Sequence, residues 1–397
     1  MKLLLFLLSI FSLPLMAELK ITGNKRTQDK FIKFIFNRCL KENSDVAKGI
    51  YPKKLSQCMM NERIFHDVTV KETKDGWHVD VKERWTLIPI PRFEVDTQGN
   101  KYYGLGLAES NLFGRRIIVY AEYLTGTVNQ FSVFYLDPSF LLTNNVFRWR
   151  AGLDKNDIVQ AFEREIVNGF KEKEILGNIG FGHDWRKSIL TGVFEYQNRS
   201  YEQLNDYDIP GDYQKYYLGL DYFYDNRDFK ISYNEGIIVI LKLRLQIYRT
   251  DEAPRADIIF GMANYTRAGF WDHLLKLTGH FGLTSTRDER DALKKGRNRG
   301  FRGTLRFSIW TDSYFGAILG YDVPLIKWSF GTWVAGLFSD LTYINNINNL
   351  PPTKFFSGGI GTYFYLKKLA IPGIGVEYGW QNKTESTFWA FNVGFAF

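Results

Sequence analysis

The sequence predicts a mainly β chain: a 16-stranded antiparallel transmembrane β-barrel preceded by a small β-α-α-β-β domain. Three observations carry this. Strand-sized segments that alternate apolar and polar residues recur along most of the chain, and no later apolar run is long enough for a spanning helix. Their apolar face is large and aromatic, in a chain that is 17% Phe, Trp and Tyr. Their other face carries Lys, Arg, Asp, Glu and many glycines, a poor dry core but a good wet lumen. Apolar-outward, polar-inward strands of about ten residues are the pattern of a barrel in lipid. Only a closed barrel satisfies every backbone group there without helices.

The first element is not structural. Residues 1–17, MKLLLFLLSIFSLPLMA, join a basic Lys2 to an apolar run too short to span a bilayer. This is the pattern of a secretory signal peptide. An exported chain meets an oxidising compartment. Cys39 and Cys58, the only two cysteines, then form either one disulfide or two separate buried thiols.

Residues 18–84 form the small domain. ELKIT reads as a strand that turns at Gly23-Asn24. QDKFIKFIFNRCLK places Phe31, Ile32, Phe34, Ile35 and Cys39 at helical spacing, and KKLSQCMMNE reads as a second, shorter helix. FHDVTVKET and GWHVDVKE alternate on either side of Lys74-Asp75-Gly76, which predicts a hairpin.

Residues 85–397 contain about sixteen strand-like segments, an even number that bacterial barrels favour. In GIIVILKLRLQIYR, Ile237, Val239, Leu241, Leu243, Leu245 and Ile247 take one face, and Lys242, Arg244 and Gln246 the other. Two segments near 145–154 and 173–184 read as separate strands with a polar stretch between them. The last, TFWAFNVGFAF, sets Trp389, Phe391, Val393, Phe395 and Phe397 opposite Ala390, Asn392, Gly394 and Ala396. Such a face is an aggregation hazard in water and an ordinary lipid face in a bilayer.

The first barrel strand, LIPIPRFEVD, has Pro89 and Pro91 near its start. Proline cannot donate to a ladder and sits at edges and strand starts. A weak seam between Glu94-Val95 on this strand and Phe391, Val393 and Phe395 on the last follows. Alternatively, the prolines only end the linker.

The eleventh and twelfth segments are joined by about 26 residues, TRDERDALKKGRNRGFRGTLRFSIWT, and loops of this length are often functional. Three readings compete for GRNRGFRG. An RNA contact fails because Arg302 and Gly303 follow Phe301 where an RNP1 pattern needs Gly or Ala and then Phe. A solvated surface loop is the plain alternative. The third joins the loop to two acids. In SYFGAILGYDVPL the apolar parity points Asp322 inward, and in GTWVAGLFSDLTY it points Asp340 inward. Guanidinium groups pair with such carboxylates in bidentate fashion.

These residues resemble a known family. Arg299-Gly300-Phe301 is similar to the Arg-Gly-Phe/Tyr tip of the long sixth extracellular loop in the BamA superfamily, which includes TamA and the two-partner secretion transporters. Asp322 in GYDVPL and Asp340 in LFSDLTY stand where that family keeps the acids that meet the loop. SNLFG at 110–114, DPSF at 137–140, YDNRD at 224–228 and FNVGFAF at 391–397 follow in the family's order. The terminal Phe391, Gly394, Phe395 and Phe397 resemble its C-terminal assembly signal. The small domain, through ITGNKRT, RIFHDVTV and VDVKE, resembles a POTRA module. The sequence departs from the family at Tyr233-Asn234-Glu235-Gly236, where Pro-x-x-Gly is usual, and at Asn298 before Arg299.

The resemblance implies a protein of the outer membrane of a Gram-negative-type envelope, with its POTRA-like domain in the periplasm. Its partners would be the lipid bilayer, unfolded or nascent β-barrel clients or a secreted client, and accessory periplasmic proteins. The implied activity is assembly, insertion or translocation of polypeptides by β-augmentation at the POTRA-like strand and the barrel seam. A secretion pore of the two-partner type and a passive porin are the alternatives. The formal charge of +8 is spread among many acids and points to no nucleic-acid partner. Five scattered histidines without ligand spacing and the lack of a G-x-S-x-G predict no metal, no cofactor and no enzyme.

Overall fold

The computed structural model describes residues 18–43, 51–95, 101–126, 128–162, 165–204, 207–230, 233–296, 300–304, 307–368, 373–383 and 386–393. The expected signal peptide, residues 1–17, lies outside them. The chain divides into two compact units: the first ends at Arg84 and also takes in Phe113–Arg115, and the second comprises Trp85–Leu112 and the chain from Arg116 onward.

The first unit runs β1 (Glu18–Thr22), α1 (Asp29–Glu42), α2 (Tyr51–Met60), β2 (Phe65–Thr73) and β3 (Gly76–Glu83). β3 is central, parallel to β1 and antiparallel to β2. A parallel pair needs a crossover, and α1 and α2 supply it. α1 buries Phe31, Ile32, Ile35, Phe36 and Cys39. Phe36, not Phe34, completes the stripe, because it stands one helical turn beyond Ile32. Phe34 is half-buried, with Arg38 over its ring at 5.4 Å. Cys39 and Cys58 form a disulfide that ties α1 to α2, with Cα atoms 5.9 Å apart.

The second unit is a closed barrel. Its first eight strands are β4 (Leu87–Val95), β5 (Lys101–Leu112), β6 (Ile117–Gly126), β7 (Val128–Phe140), β8 (Asn145–Phe162), β9 (Glu165–Asp184), β10 (Ser188–Gln203) and β11 (Tyr213–Asp225). A two-residue ladder, β12 (Asp228–Phe229), precedes β13 (Asn234–Arg249), β14 (Ile258–Ala268) and β15 (Leu274–Thr284). A short β16 (Leu293–Lys295) lies within the long loop before β17 (Ile309–Lys327), β18 (Gly331–Asn346), β19 (Thr353–Leu366), β20 (Gly373–Gln381) and β21 (Ser386–Val393). Setting β12 and β16 aside leaves the sixteen expected spans among the described residues. β21 closes against β4.

The faces follow the alternation. Leu105, Phe131, Leu218, Phe315, Leu337 and Trp389 are 45–68% exposed, far more large apolar surface than a water-soluble sheet tolerates. All six stand on barrel strands. Among the described residues no helix is long and apolar enough to cross a membrane. The polar stretch between 154 and 173 is not a loop. β8 and β9 pair from Asn145 with His183 to Phe162 with Glu165, with one register shift between Gln160 and Ala161. The charges Asp154, Lys155, Lys171 and Lys173 hid this hairpin, because backbone pairing continues where alternation of polarity lapses.

Candidate functional site

The described parts of the long loop, residues 285–296, 300–304 and 307–308, fold against the inner wall of the barrel and are held at two places. Its tip meets β18, β19 and β20. Gly300 has φ +87°, a conformation that glycine adopts freely. Its N–H donates to Asp340 Oδ2 at 3.2 Å, and its carbonyl accepts from Thr342 Oγ1 at 2.9 Å. A Cβ here would stand 2.5 Å from the His280 ring, so the backbone approaches the wall as only glycine can.

Arg302 is the described cation of the tip. Its Nη1 donates to Asp340 Oδ1 at 2.8 Å, and its Nε lies 3.1 Å from Glu377 Oε2. Its guanidinium carbon stacks 4.2 Å over the Phe338 ring. Ser357 also donates to Asp340 Oδ2 at 3.1 Å, and Tyr363 donates to Glu377 Oε1 at 2.7 Å. Asp340 is fully buried, so its charge depends on these partners. Phe301, 2% exposed, anchors the tip among Tyr314, Ile309, Ile344 and Phe355.

The first half of the loop is held at the rim. Asp291 accepts from Lys215 Nζ at 2.5 Å, from Tyr213 at 3.0 Å and from Arg249. Asp291 and Lys215 are both buried. Lys294 pairs with Glu172 at 2.8 Å and lies over Phe170 and Trp310. Ala292 and Trp310 pack with Ile158, Phe170, Tyr201, Tyr213 and Ile347 into an apolar plug. Burial alone would raise the Asp291 carboxyl, but Lys215, Arg199 and Arg249 outweigh it and hold it well below the usual carboxylate range.

The residues singled out in the sequence fall as follows. Gly300, Phe301 and Asp340 come together. Asp322 points inward and is buried, and Lys276 on β15 is its partner. Arg299 lies outside the described residues, as do Gly394, Phe395 and Phe397. Pro89 and Pro91 face outward on β4, paired with Leu107 and Leu105. The backbones of Glu94 and Val95 pair with Tyr102 and Lys101, and those of Phe391 and Val393 with Val376 and Ile374. The side chains of these four lie outside the described residues.

Sequence reasoning missed Arg302, Glu377, Lys276 and the rim group around Asp291. A signal existed for Glu377, since Ile374, Tyr378 and Trp380 alternate outward on β20 and leave it inward. Partners such as Asp291 with Lys215, 76 residues apart, have no local signature. Among the described residues no cluster of His, Cys, Asp and Glu could hold a metal ion.

No protein-family model and no curated protein matches the sequence. Solved structures do resemble it. BamA from Haemophilus ducreyi lacking POTRA domains 1–3 aligns with a TM-score of 0.56 at 12% identity, over 94% of this chain and 84% of that one. CdiB from Escherichia coli aligns with a TM-score of 0.63 at 11% identity, over 96% and 77%. CdiB from Acinetobacter baumannii aligns with a TM-score of 0.58 at 11% identity, over 94% and 71%. At these identities the likeness is one of fold: the chain is a 16-stranded antiparallel barrel of the kind seen in BamA and CdiB.

Proposed function

We propose that the chain is a member of the BamA superfamily, acting at the outer membrane in the assembly, insertion or translocation of polypeptides. The observation that carries this reading is the loop tip docked through Gly300, Phe301 and Arg302 on Asp340, in a barrel whose fold is like that of BamA and CdiB. The Arg-Gly-Phe sequence and the wall acid coincide with the pattern that the resemblance leads one to expect. In the proposal Arg299-Gly300-Phe301 belong to the latch, extended by Arg302, with Asp340 as its wall acid, and Asp322 is a lumen acid that Lys276 holds.

The first unit, in this reading, is a single POTRA-like domain in the periplasm, following a cleaved signal peptide. β2 is an edge of its three-stranded sheet, and an edge strand offers unpaired backbone groups to an extended client. The seam between β4 and β21 is the second such edge once opened, and Pro89 and Pro91 weaken it. The reading includes no enzyme activity and no cofactor. Phe391, Gly394, Phe395 and Phe397 serve as the chain's own assembly signal.

Depletion of the protein followed by quantitation of the outer-membrane proteome tests this. Loss of many barrel proteins is expected of an insertase. An unchanged proteome with normal secretion would overturn the proposal. Loss of one secreted protein alone would favour a pore of the two-partner type, the reading that the fold likeness to CdiB supports.

A further inference from the structure

The outer part of the β8–β9 hairpin stands clear of the wall. β7 pairs with β8 from Asn145 to Asn156, and β10 pairs with β9 from Phe170 to Asp184. Beyond Asn156 and Phe170, among the described residues, the two strands pair with each other and not with β7 or β10. The register shift between Gln160 and Ala161 bends this ribbon. A two-stranded ribbon is marginal in water unless it packs on something.

What it packs on lies across the barrel mouth. In the ring of sixteen spans β18 stands opposite β8. Ile158 nonetheless packs with Trp310 on β17 and with Ile347, just after β18. The Ala161 N–H donates to the Ser308 carbonyl at 2.9 Å, and Asn348 Nδ2 donates to Oε1 of the buried Gln160 at 2.8 Å. Lys383, in the turn between β20 and β21, lies 5.1 Å over the Phe162 ring. Around the wall β4, β5, β6 and β7 separate β21 from β8, so this contact joins two places that the sheet keeps apart.

The ribbon ends on the part of the barrel best able to move. β20 and β21 form the last hairpin of the sheet. On one side β20 is laddered to β19 from Gly373 to Gln381. On the other β21 meets β4, whose Pro89 and Pro91 have no N–H to donate. Two elements from elsewhere hold this hairpin. From within, Arg302 reaches Glu377 on β20, and Gly303 lies so close to the Phe388 ring on β21 that a Cβ would run into it. At the turn, Phe162 meets Lys383. We propose that the outer part of the β8–β9 hairpin is a brace on the seam. Fastened at Asn348 and Lys383, it keeps the β20–β21 hairpin against β4, and its release lets the two part. The proposal rests on the reading that the seam opens to clients, and adds what controls the opening.

The test is amide exchange on the full chain in detergent, read by mass spectrometry. Gln160→Ala with Phe162→Ala speeds exchange in β4 and β21 at least about fivefold and leaves β14 and β15 as before. Phe162→Cys with Lys383→Cys, joined by a short reducible bismaleimide, slows exchange in β4 and β21 below that of the unmodified protein, and reduction reverses the effect. Lys187→Gln, in the turn at the other end of β9, leaves the seam unchanged. Faster exchange confined to the β8–β9 hairpin, with the seam unmoved, overturns the proposal. So does an equal rise in every strand, which is general loosening. Should the double-alanine variant not fold, the cross-linked protein decides: a seam that exchanges no more slowly than before overturns the brace. A lock placed directly between β4 and β21 tests, by client insertion, whether the seam opens at all, so the brace and that reading fail separately.

Discussion

Arg302 and Asp340 form a buried ion pair 2.8 Å across, between the long loop and the middle of β18, with 6% and 0% of their side-chain surface exposed. Thirty-eight residues separate them in sequence. Removing one partner of such a pair leaves a charge buried alone. Arg302→Ala and Asp340→Asn should each destabilise the barrel by about 3–5 kcal/mol, measured by denaturant unfolding in detergent. A double-mutant cycle should show coupling between them and little between Arg302 and Asp322, which Lys276 already holds. Additive effects of the first pair would dissociate the loop from the wall acid. The same cycle between Arg299 and each acid assigns the partner of that arginine.

Gly300→Ala should release the tip without touching a charge. The new Cβ meets the His280 ring, and the φ of +87° strains any L side chain. A loss of about 1–3 kcal/mol is expected. Faster amide exchange confined to the loop and β18 is the measurement. Unchanged exchange would show that the wall yields at no cost.

The rim anchor should survive mild acid. The carboxyl of Asp291 is depressed in the folded state relative to about 3.9 when unfolded. Its stabilising contribution is then fully present above about pH 4 and is lost only as pH falls through the lower folded value. Amide exchange of residues 286–296, corrected for the intrinsic pH dependence, should be level from pH 7 to about pH 4 and rise in stronger acid. Asp291→Asn should raise it at neutral pH. Loss of protection already near pH 6 would contradict the anchor.

The Cys39–Cys58 bridge closes a loop between residues 19 apart. Replacing both cysteines with serine should cost the first unit about 3 kcal/mol, read as earlier proteolysis of residues 18–84 in denaturant. The barrel should unfold as before.

A cysteine pair joining position 94 or 95 to position 391 or 393 tests the seam. Oxidation should block client insertion, and reduction should restore it. Insertion that proceeds through the locked barrel would leave β4 and β21 as a passive closure.

The alternation of residues by itself determined the barrel, because side chains on a strand have a period of two whatever lies across from them. That is why sixteen spans, the inward turn of Asp322 and Asp340, and the outward turn of Phe315 and Leu337 were legible. Helical spacing likewise predicted α1 and α2, with Phe36 replacing Phe34 in the core. Tertiary structure decided which charges meet. Asp322 belongs to Lys276, Asp340 to Gly300 and Arg302, and Asp291 to Lys215 and Arg249. Parity says only which face a carboxylate takes. Its partner depends on barrel closure and on the path of a 285–308 loop that carries no period, so that choice is made when distant strands come together around the loop.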